Sequence, residues 1–174
     1  MIEEKDLSSL EELVHKEAIR EQIYTYCRAV DRGDKALMRS VYHPDATDNH
    51  GVFEGLASDF VDLDVDKIMP GLLLTQHSIS NMLIELAGDV ANVESYCTAY
   101  HRVRQDDGEY DLLMWGRYLD RFERRNGEWK IARRLCVFDG IRHDKASAGW
   151  GMDWCANFRP LGRRDKKDPF YSMK

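Results

Sequence analysis

The feature that most constrains the fold is a series of four strand-like segments in the second half of the chain. They span 72–86, 90–105, 110–124 and 128–138, where the hydrophobic period changes from that of helices to that of strands. The connections between them, GD, DDGE and RNG, are short and rich in turn-forming residues. Because short turns join antiparallel neighbours, we predict a meander of long strands.

The first half of the chain has helical periodicity instead. Residues 8–32 carry one long or two abutting amphipathic helices, which Gly33 ends. Asp34 is then a candidate N-cap for a second helix that ends at Pro44. This second helix has one apolar face, formed by Leu37, Met38, Val41 and Tyr42.

Two shorter elements are predicted between the helices and the meander. Residues 46–55 form a short strand pair or a loop, and Ser58 or Asp59 caps a third helix that runs through Phe60 to Pro70. Helices followed by strands indicate the α+β class, with the helices packed on one face of the sheet. Since so long a sheet must twist and curl, we predict a cone-shaped α+β barrel that encloses a pocket.

We interpret the whole chain, 1–174, as one domain, because 174 residues with 43% hydrophobic and 32% charged content suit a single core. The core is placed at about 10–140. The last part, 139–174, is predicted to be irregular and holds Trp150 and Trp154. It covers the pocket mouth or a neighbouring subunit, or else it is a partly ordered tail.

Composition argues against several classes of function. The net charge of -6 does not favour nucleic acid or an anionic membrane as a partner. No apolar run reaches the ~20 residues of a membrane span, and the acidic start MIEEKDLSSLEE is unlike a signal peptide. The cysteines are scattered without a CxxC pair, which favours reduced thiols in a cytoplasmic protein.

No cofactor or metal is expected. His50, His77, His101 and Asp31 could in principle surround an ion, but their spacing matches no compact metal motif. The chain also lacks a GxGxxG sequence, a P-loop and a nucleophile elbow.

Two residues stand out as candidates for acid–base chemistry. Asp31 lies four residues after Cys27, at the end of a helix face that should be buried, where a carboxylate needs a partner. The alternative is that Asp31 turns to solvent or binds nearby backbone. His77 shares a strand face with Thr75 and Ile79, as a packed histidine or as a general base.

Two further residues are weaker candidates. His101 shares strand parity with the small residues Cys97 and Ala99, which leave room for a ligand or for a packed helix. Arg134 shares one strand face with Cys136, and Arg133 shares the opposite face with Leu135. The alternation alone therefore leaves open which arginine points inward. An inward arginine would serve as a clamp for an oxyanion or a leaving group.

The order of these residues resembles the SnoaL-like branch of the nuclear transport factor 2-like superfamily. That branch includes scytalone dehydratase-like, bile acid 7α-dehydratase-like and hexachlorocyclohexane dehydrochlorinase-like enzymes. The resemblance covers about 10–140, and its local marks are YCRAVDRGD, VYHPDATDNHGVFEG, TQHSISN and RYLDRFERRNGEWKIARR.

The resemblance implies roles for five residues. Asp31 and His77 fall where this group has a catalytic aspartate and histidine, and Arg134 matches an arginine that follows the tryptophan of the last strand. Tyr26 and His101 lie near a tyrosine and a second histidine of the dehydratases. The chain lacks the acidic residue that the bile acid dehydratase has near His101, which argues against identical chemistry.

We therefore expect a cofactor-independent lyase, a dehydratase or dehydrohalogenase, for a small apolar cyclic or polyketide-like substrate. The alternatives are a ketosteroid-type isomerase or polyketide cyclase, and a non-catalytic binding or assembly domain. The pocket lining is predicted to include Cys97, Tyr118, Met82, Met114 and Phe138. A homo-oligomer, dimer or trimer, is expected because the outer sheet face appears apolar at Trp129, Ile131, Leu135 and Val137.

Overall fold

The helices lie in the first half of the chain, as predicted. The structure, a computed structural model, describes residues 4–146 and 157–173. Helix α1 (Glu4–Arg32) ends at Gly33, whose φ of +62° is a left-handed conformation that favours glycine. Helix α2 (Lys35–Ser40) begins after Asp34, whose side chain accepts a hydrogen bond from the backbone N–H of Leu37. Asp34 is therefore the N-cap that the sequence predicts.

The end of α2 differs from the prediction. The helix ends at Ser40, well before Pro44, and Tyr42 already belongs to strand β1 (Tyr42–Asn49). The reason is sheet pairing, because the backbone N–H of Ile131 in the last strand donates to the carbonyl of Val41. Tyr42 is thus a strand residue and not part of a helix face.

The elements after β1 are a strand pair and a short helix. β2 (Glu54–Leu56) pairs antiparallel with β1, and α3 (Ala57–Leu63) follows without a break. The residue before α3 is Leu56, which makes no side-chain cap, so the predicted cap at Ser58 or Asp59 is wrong. Both lie inside the helix because β2 leads directly into it. A π-helical turn (Asp64–Ile68) and a 3₁₀ turn (Met69–Gly71) complete the segment to the meander.

The predicted meander is confirmed. Strands β3 (Leu72–Ala87), β4 (Val90–Gln105), β5 (Gly108–Arg125) and β6 (Glu128–Lys145) pair antiparallel in sequence order. The six strands form one curved sheet with the order β2-β1-β6-β5-β4-β3, in which β1 runs parallel to β6. β6 continues past 138 to Lys145, opposite Tyr110, so residues 139–145 are strand and not irregular.

The register of β6 changes at Ala132. Arg121 of β5 lies opposite Arg133, whereas the next residue, Phe122, lies opposite Ile131, so Ala132 is an extra residue in β6. Such a bulge reverses the side-chain alternation beyond it. Trp129 and Ile131 therefore point into the core on one side of the bulge, and Arg134 points inward on the other.

The bulge overturns the predicted apolar outer face. Trp129 is 3% exposed and Ile131 is 0% exposed, because both pack inside the fold rather than on the outer sheet face. The indole N–H of Trp129 donates to His15 Nδ1 of α1 at 3.2 Å. Leu135 and Val137 are half-buried. The expectation of association through a face containing Trp129 and Ile131 is thus wrong.

The core lies between α1 and the sheet. Ile19 and Ile23 of α1, Phe122 of β5 and Ile131 of β6 are all completely buried. Each such side chain contributes about 1.5–3 kcal/mol through the area that it removes from water. This packing fixes the last two turns of α1, where Tyr26 and Asp31 lie, against the strands.

The described part of the C-terminal segment, 157–173, returns to α1. Asp168 forms an ion pair with Arg32 at 3.4 Å, Lys166 pairs with Asp34, and Tyr171 donates a hydrogen bond to Asp34 at 3.1 Å. The predicted cover formed by Trp150 and Trp154 lies outside the described residues. No helix in the described ranges is long and apolar enough to cross a bilayer.

Candidate active site

A largely apolar cavity lies within the curved sheet, closed by α1 and the segment after α3. Its volume is about 340 Å³, at the lower end of the range for small-molecule sites. Apolar side chains from several elements form most of its wall: Val30, Val52, Phe60, Ile68, Leu72, Leu112, Met114, Trp115 and Phe138. The predicted pocket is therefore present in the fold.

Asp31 and His77 form a pair at this wall. Asp31 Oδ1 is 2.7 Å from His77 Nδ1, and Asp31 Oδ2 accepts a hydrogen bond from the backbone N–H of His77 at 3.1 Å. The pair is nearly enclosed, with side-chain exposures of 8% for His77 and 12% for Asp31. One carboxylate thus holds both the ring and the backbone of the histidine.

This geometry fixes the tautomer of His77. An ionised carboxylate only accepts hydrogen bonds, so Nδ1 must carry a proton and donate it to Asp31. In the neutral ring, Nε2 then holds the free electron pair. Since His77 lines the cavity, this arrangement can supply a base whose positive charge, once protonated, is balanced by Asp31.

His101 lies beside His77 on the neighbouring strand, β4. The two rings are 5.4 Å apart between centroids, and His101 Nε2 is buried without a hydrogen-bond partner. Burial, followed by the charge of His77, lowers the pKa of His101 to about 4. His101 is therefore neutral near pH 7 and can make hydrogen bonds there, but it is a poor proton donor.

Arg134 does not line the cavity. Its guanidinium donates two hydrogen bonds to Asp120, at 2.8 and 2.7 Å, and lies 4.1 Å from the ring centres of both Tyr26 and Tyr118. Burial opposes its charge, but the charge of Asp120 holds the pKa of Arg134 well above its ordinary value. Arg134 therefore supports the two tyrosine rings from behind, through cation–π contact.

Tyr26 and Tyr118 face the cavity in front of Arg134. Burial raises the pKa of both phenols well above the ordinary value, so both are neutral hydrogen-bond donors. Cys97 Sγ donates to the Tyr118 hydroxyl at 3.5 Å. Of the side chains predicted to line the pocket, Cys97, Met114, Tyr118 and Phe138 do so, whereas Met82 packs against the core.

A second aspartate–histidine pair at the same cavity was not predicted. His50 Nδ1 is 2.6 Å from Asp48 Oδ1, and the hydroxyl of Tyr42 donates to Asp48 Oδ2 at 2.7 Å. The His50 ring lines the cavity and stacks on Phe60, with centroids 4.2 Å apart and planes 16° apart. The sequence DNH did carry a signal, because strand alternation places Asp48 and His50 on one face.

Asp64 is another polar residue that sequence reasoning missed. It begins the π-helical turn after α3, lines the cavity and has one carboxylate oxygen, Oδ2, buried without a hydrogen-bond partner. Burial raises its pKa, and the charges of His50, Arg164 and His77 oppose that shift. Asp64 thus lies within electrostatic range of both histidine pairs. Within the described ranges no group of three or more His, Cys, Asp or Glu side chains could hold a metal ion.

Comparison with known proteins shows the family of the chain. A SnoaL-like domain model matches residues 11–135, and a search of curated proteins finds no significant match. A hexachlorocyclohexane dehydrochlorinase from Novosphingobium barchaimii LL02 is 20% identical, with a TM-score of 0.71 over 88% of this chain and 99% of that chain. A candidate scytalone dehydratase from Novosphingobium aromaticivorans DSM 12444 is 22% identical, with a TM-score of 0.67 over 79% of this chain and 95% of that one.

A third structure is similar in fold but belongs to a different kind of protein. It is the β subunit of a candidate aromatic-ring-hydroxylating dioxygenase from the same N. aromaticivorans strain, with 19% identity and a TM-score of 0.61 over 75% of this chain and 93% of that one. Likenesses at these identities show the fold, which hosts many functions. Since the family model matches most of its length, the chain belongs to the SnoaL-like domain family.

Proposed function

We propose that the protein is a cofactor-independent lyase, a dehydratase or dehydrohalogenase, for a small and largely apolar cyclic or polyketide-like molecule. The observation that carries this proposal is the Asp31–His77 pair at the wall of an apolar cavity. A base held by a buried carboxylate beside an apolar space suits removal of a proton from carbon.

His77 Nε2 is the base in this proposal. It takes a proton from a carbon next to an activating group, and Asp31 stabilises the imidazolium that forms. Acid–base steps of this kind contribute about 10²–10⁴-fold to a rate. The apolar wall strengthens the interaction because it keeps water away from the pair.

Hydrogen-bond donors at the cavity stabilise the negative charge that develops on the substrate. The phenols of Tyr26 and Tyr118 stay protonated, so either can donate to an enolate oxygen. His101, neutral beside His77, can donate or accept a further hydrogen bond. Arg134 acts on this step only through the tyrosine rings that it supports.

Two other functions fit parts of the structure. Ketosteroid-type isomerisation and polyketide cyclisation begin with the same proton removal, so product analysis separates them from elimination. A non-catalytic assembly domain is favoured by the likeness to a dioxygenase β subunit. Such a domain has no need of a cavity-facing histidine held by a buried carboxylate, which supports the enzymatic proposal.

The test is proton exchange together with elimination. The protein is incubated in D₂O with a panel of cyclic ketones that carry hydroxyl or chloride at the β carbon, and deuterium uptake, alkene and halide are measured. His77→Gln and Asp31→Asn should lower exchange and elimination about a hundredfold or more. His43→Gln is the matched control, because His43 is buried on β1 with its ring bonded to the Glu123 carbonyl, outside the cavity.

Each outcome has a clear meaning. Exchange with elimination supports the lyase, and exchange with a shifted double bond or a new ring replaces it with an isomerase or a cyclase. If His77→Gln retains the wild-type rate, His77 is not the base. If the wild type gives neither exchange nor product with any ketone, the proposed lyase activity is wrong.

A further inference from the structure

We propose that Asp48 and His50 form a second acid–base pair, which protonates the leaving oxygen of the substrate. The cavity is then built for an alcohol, which loses water, rather than for a halide. This inference rests on the proposed lyase function and specifies its substrate class. It gives the reaction a proton donor next to the end of β1, whereas the base lies on β3.

The geometry of the second pair repeats that of the first. Asp48 is completely enclosed, with a side-chain exposure of 0%, and both of its oxygens are engaged, Oδ1 by His50 Nδ1 and Oδ2 by the Tyr42 hydroxyl. Because the carboxylate only accepts, His50 Nδ1 donates to it. His50 Nε2 is then the ring nitrogen left to meet a ligand.

A purely structural role explains this arrangement less well. Burying a carboxylate is costly unless a partner compensates it. His50 keeps 17% of its side chain exposed and lines the cavity, so it is not simply a core residue that Asp48 satisfies. Stacking on Phe60 at 4.2 Å fixes the plane of the ring, which is how a proton donor is positioned.

The two pairs lie on separate walls of one cavity. His50 directly follows β1 and His77 is on β3, and strands β6, β5 and β4 lie between β1 and β3 in the sheet. Both histidines nevertheless line the same space, because the sheet curls around it. A substrate in this space meets one imidazole from each side.

Other charged and titratable groups near His50 support a proton donor there. Asp48 faces it from the end of β1, Asp64 acts on it from the π-helical turn, and the Tyr118 ring centre is 6.1 Å away on β5. The Arg134–Asp120 ion pair lies behind Tyr118. The Asp48 carboxylate lies against the His50 ring, whereas His101, with a pKa of about 4, is a poor donor.

The proposed step balances as follows. His77 Nε2 takes the proton from the activated carbon, and the electron pair of that C–H bond forms the new C=C bond. The C–O bond breaks, and its oxygen takes the proton from His50 Nε2 and leaves as water. His77 ends protonated and His50 neutral, and a proton passing from one to the other, directly or through solvent, restores both.

The choice of an alcohol follows from the leaving group. Chloride leaves as a stable anion and needs no proton, whereas hydroxide is a poor leaving group unless it is protonated as it departs. A site for halides therefore needs the first pair alone. A second buried pair, with a ring proton to give, suits a leaving atom that must be protonated as it departs.

The test compares two leaving groups on one ring. The wild type, His50→Gln, His77→Gln and the control His43→Gln are assayed with 3-hydroxycyclohexanone and 3-chlorocyclohexanone in D₂O. His50→Gln should lower water elimination about a hundredfold or more, and should leave chloride elimination and deuterium exchange within about threefold of wild type. His77→Gln should lower all three.

A second measurement does not depend on turnover. The tautomer of the His50 ring is measured by ¹⁵N NMR in the wild type and in Asp48→Asn, with the His43 ring as the internal reference. In the wild type Nδ1 should carry the proton, whereas in Asp48→Asn, whose amide can donate to Nδ1, the proton should move to Nε2. Circular dichroism checks that each variant is folded.

The outcomes separate this inference from the proposed function. Equal effects of His50→Gln on both substrates, or no effect on water loss, overturn the second pair and leave the lyase intact. If the wild type turns over 3-chlorocyclohexanone but not 3-hydroxycyclohexanone, the second pair is likewise overturned and the lyase stays intact. No exchange or product from either ketone counts against the lyase itself, and the NMR measurement then decides on the pair, which fails if Asp48→Asn leaves the tautomer of His50 unchanged.

Discussion

Arg134 and Asp120 form a doubly hydrogen-bonded ion pair directly behind the two tyrosines that face the cavity. Both side chains are 0% exposed, and the bonds are 2.8 and 2.7 Å long. The pair therefore links two neighbouring strands at the point where the core meets the cavity. It couples the stability of the fold to the position of Tyr26 and Tyr118.

Breaking this pair should be costly. Asp120→Asn leaves the charge of Arg134 buried without its partner, and we expect a loss of about 3–5 kcal/mol in the free energy of unfolding. Urea unfolding measures it. The control is Asp139→Asn, which removes an exposed partner of Arg117 and should cost less than about 1 kcal/mol. Equal losses in the two variants would show that burial adds nothing to the Arg134 pair.

Asp31→Asn should impair catalysis more than folding. The amide of asparagine can donate to Nδ1 of His77 and so favour the tautomer that places the proton on Nε2. We expect a fall in kcat of about 10²–10⁴-fold with the lyase substrate. ¹⁵N NMR of the His77 ring reports the tautomer. A normal rate with the altered tautomer would contradict the role of His77 Nε2 as the base.

His101 should make the fold sensitive to acid. Its pKa is about 4 in the folded protein, against 6.5 for a free histidine, through burial and the neighbouring charges of His77 and Arg164. The unfolded chain therefore binds this proton first, so the stabilisation is complete above about pH 6.5 and is lost as the pH falls towards 4. The loss amounts to at most about 3 kcal/mol.

His101→Phe tests this dependence. The variant keeps a ring of similar shape but has no group to titrate, so its free energy of unfolding should fall less than that of the wild type between pH 7 and pH 4.5. Urea unfolding at several pH values measures the difference. Parallel curves for the two proteins would assign the acid sensitivity to other groups.

Arg164 should hold the two elements of the first pair together. Its guanidinium donates to the carbonyl of Val30 near the end of α1 and to the carbonyl of Leu72 at the start of β3, each at 3.2 Å. Arg164→Met keeps the apolar stem but removes both hydrogen bonds, and the Val30 carbonyl then keeps only the backbone N–H of Gly33; this should cost about 1–3 kcal/mol. It should also lower kcat, because α1 carries Asp31 and β3 carries His77.

Arg163→Met is the matched control for Arg164. The Arg163 guanidinium contacts Asp165 within the same exposed stretch of the C-terminal segment, so its loss should change the free energy of unfolding much less than the loss of Arg164 does. Hydrogen exchange at the end of α1 and the start of β3 should quicken in Arg164→Met alone. The same exchange pattern in both variants would show that Arg164 does not hold the end of α1 and the start of β3 together.

Much of the fold could be read from the sequence, because it depends on local signals. Turn residues mark the ends of the long strands, and Gly33 and Asp34 mark the junction of α1 and α2. The end of α2 could not be read, because the pairing of Val41 with Ile131 decides it. The inward orientation of the Arg134 side chain depends on the extra residue Ala132, and the alternation of side chains along the strand does not reveal that residue.

Only part of the candidate site could be predicted from the sequence. The Asp31–His77 contact follows from a family resemblance and not from spacing, since the two residues are far apart in the chain. Asp48 and His50 are close in sequence and share a strand face, yet this spacing matches no known motif. Asp64 carries no signal at all, because its place depends on the π-helical turn after α3.

The extra residue Ala132 also divides the last strand into two parts that contact different regions of the protein. Before it, Trp129 and Ile131 serve the packing of α1, and after it, Cys136 and Phe138 reach the cavity. Replacements at the cavity-facing positions Cys136 and Phe138 can therefore reshape the space for a ligand without touching the packing of Trp129 and Ile131. A scaffold divided in this way can acquire new substrates as long as the Arg134–Asp120 pair between the two parts is kept.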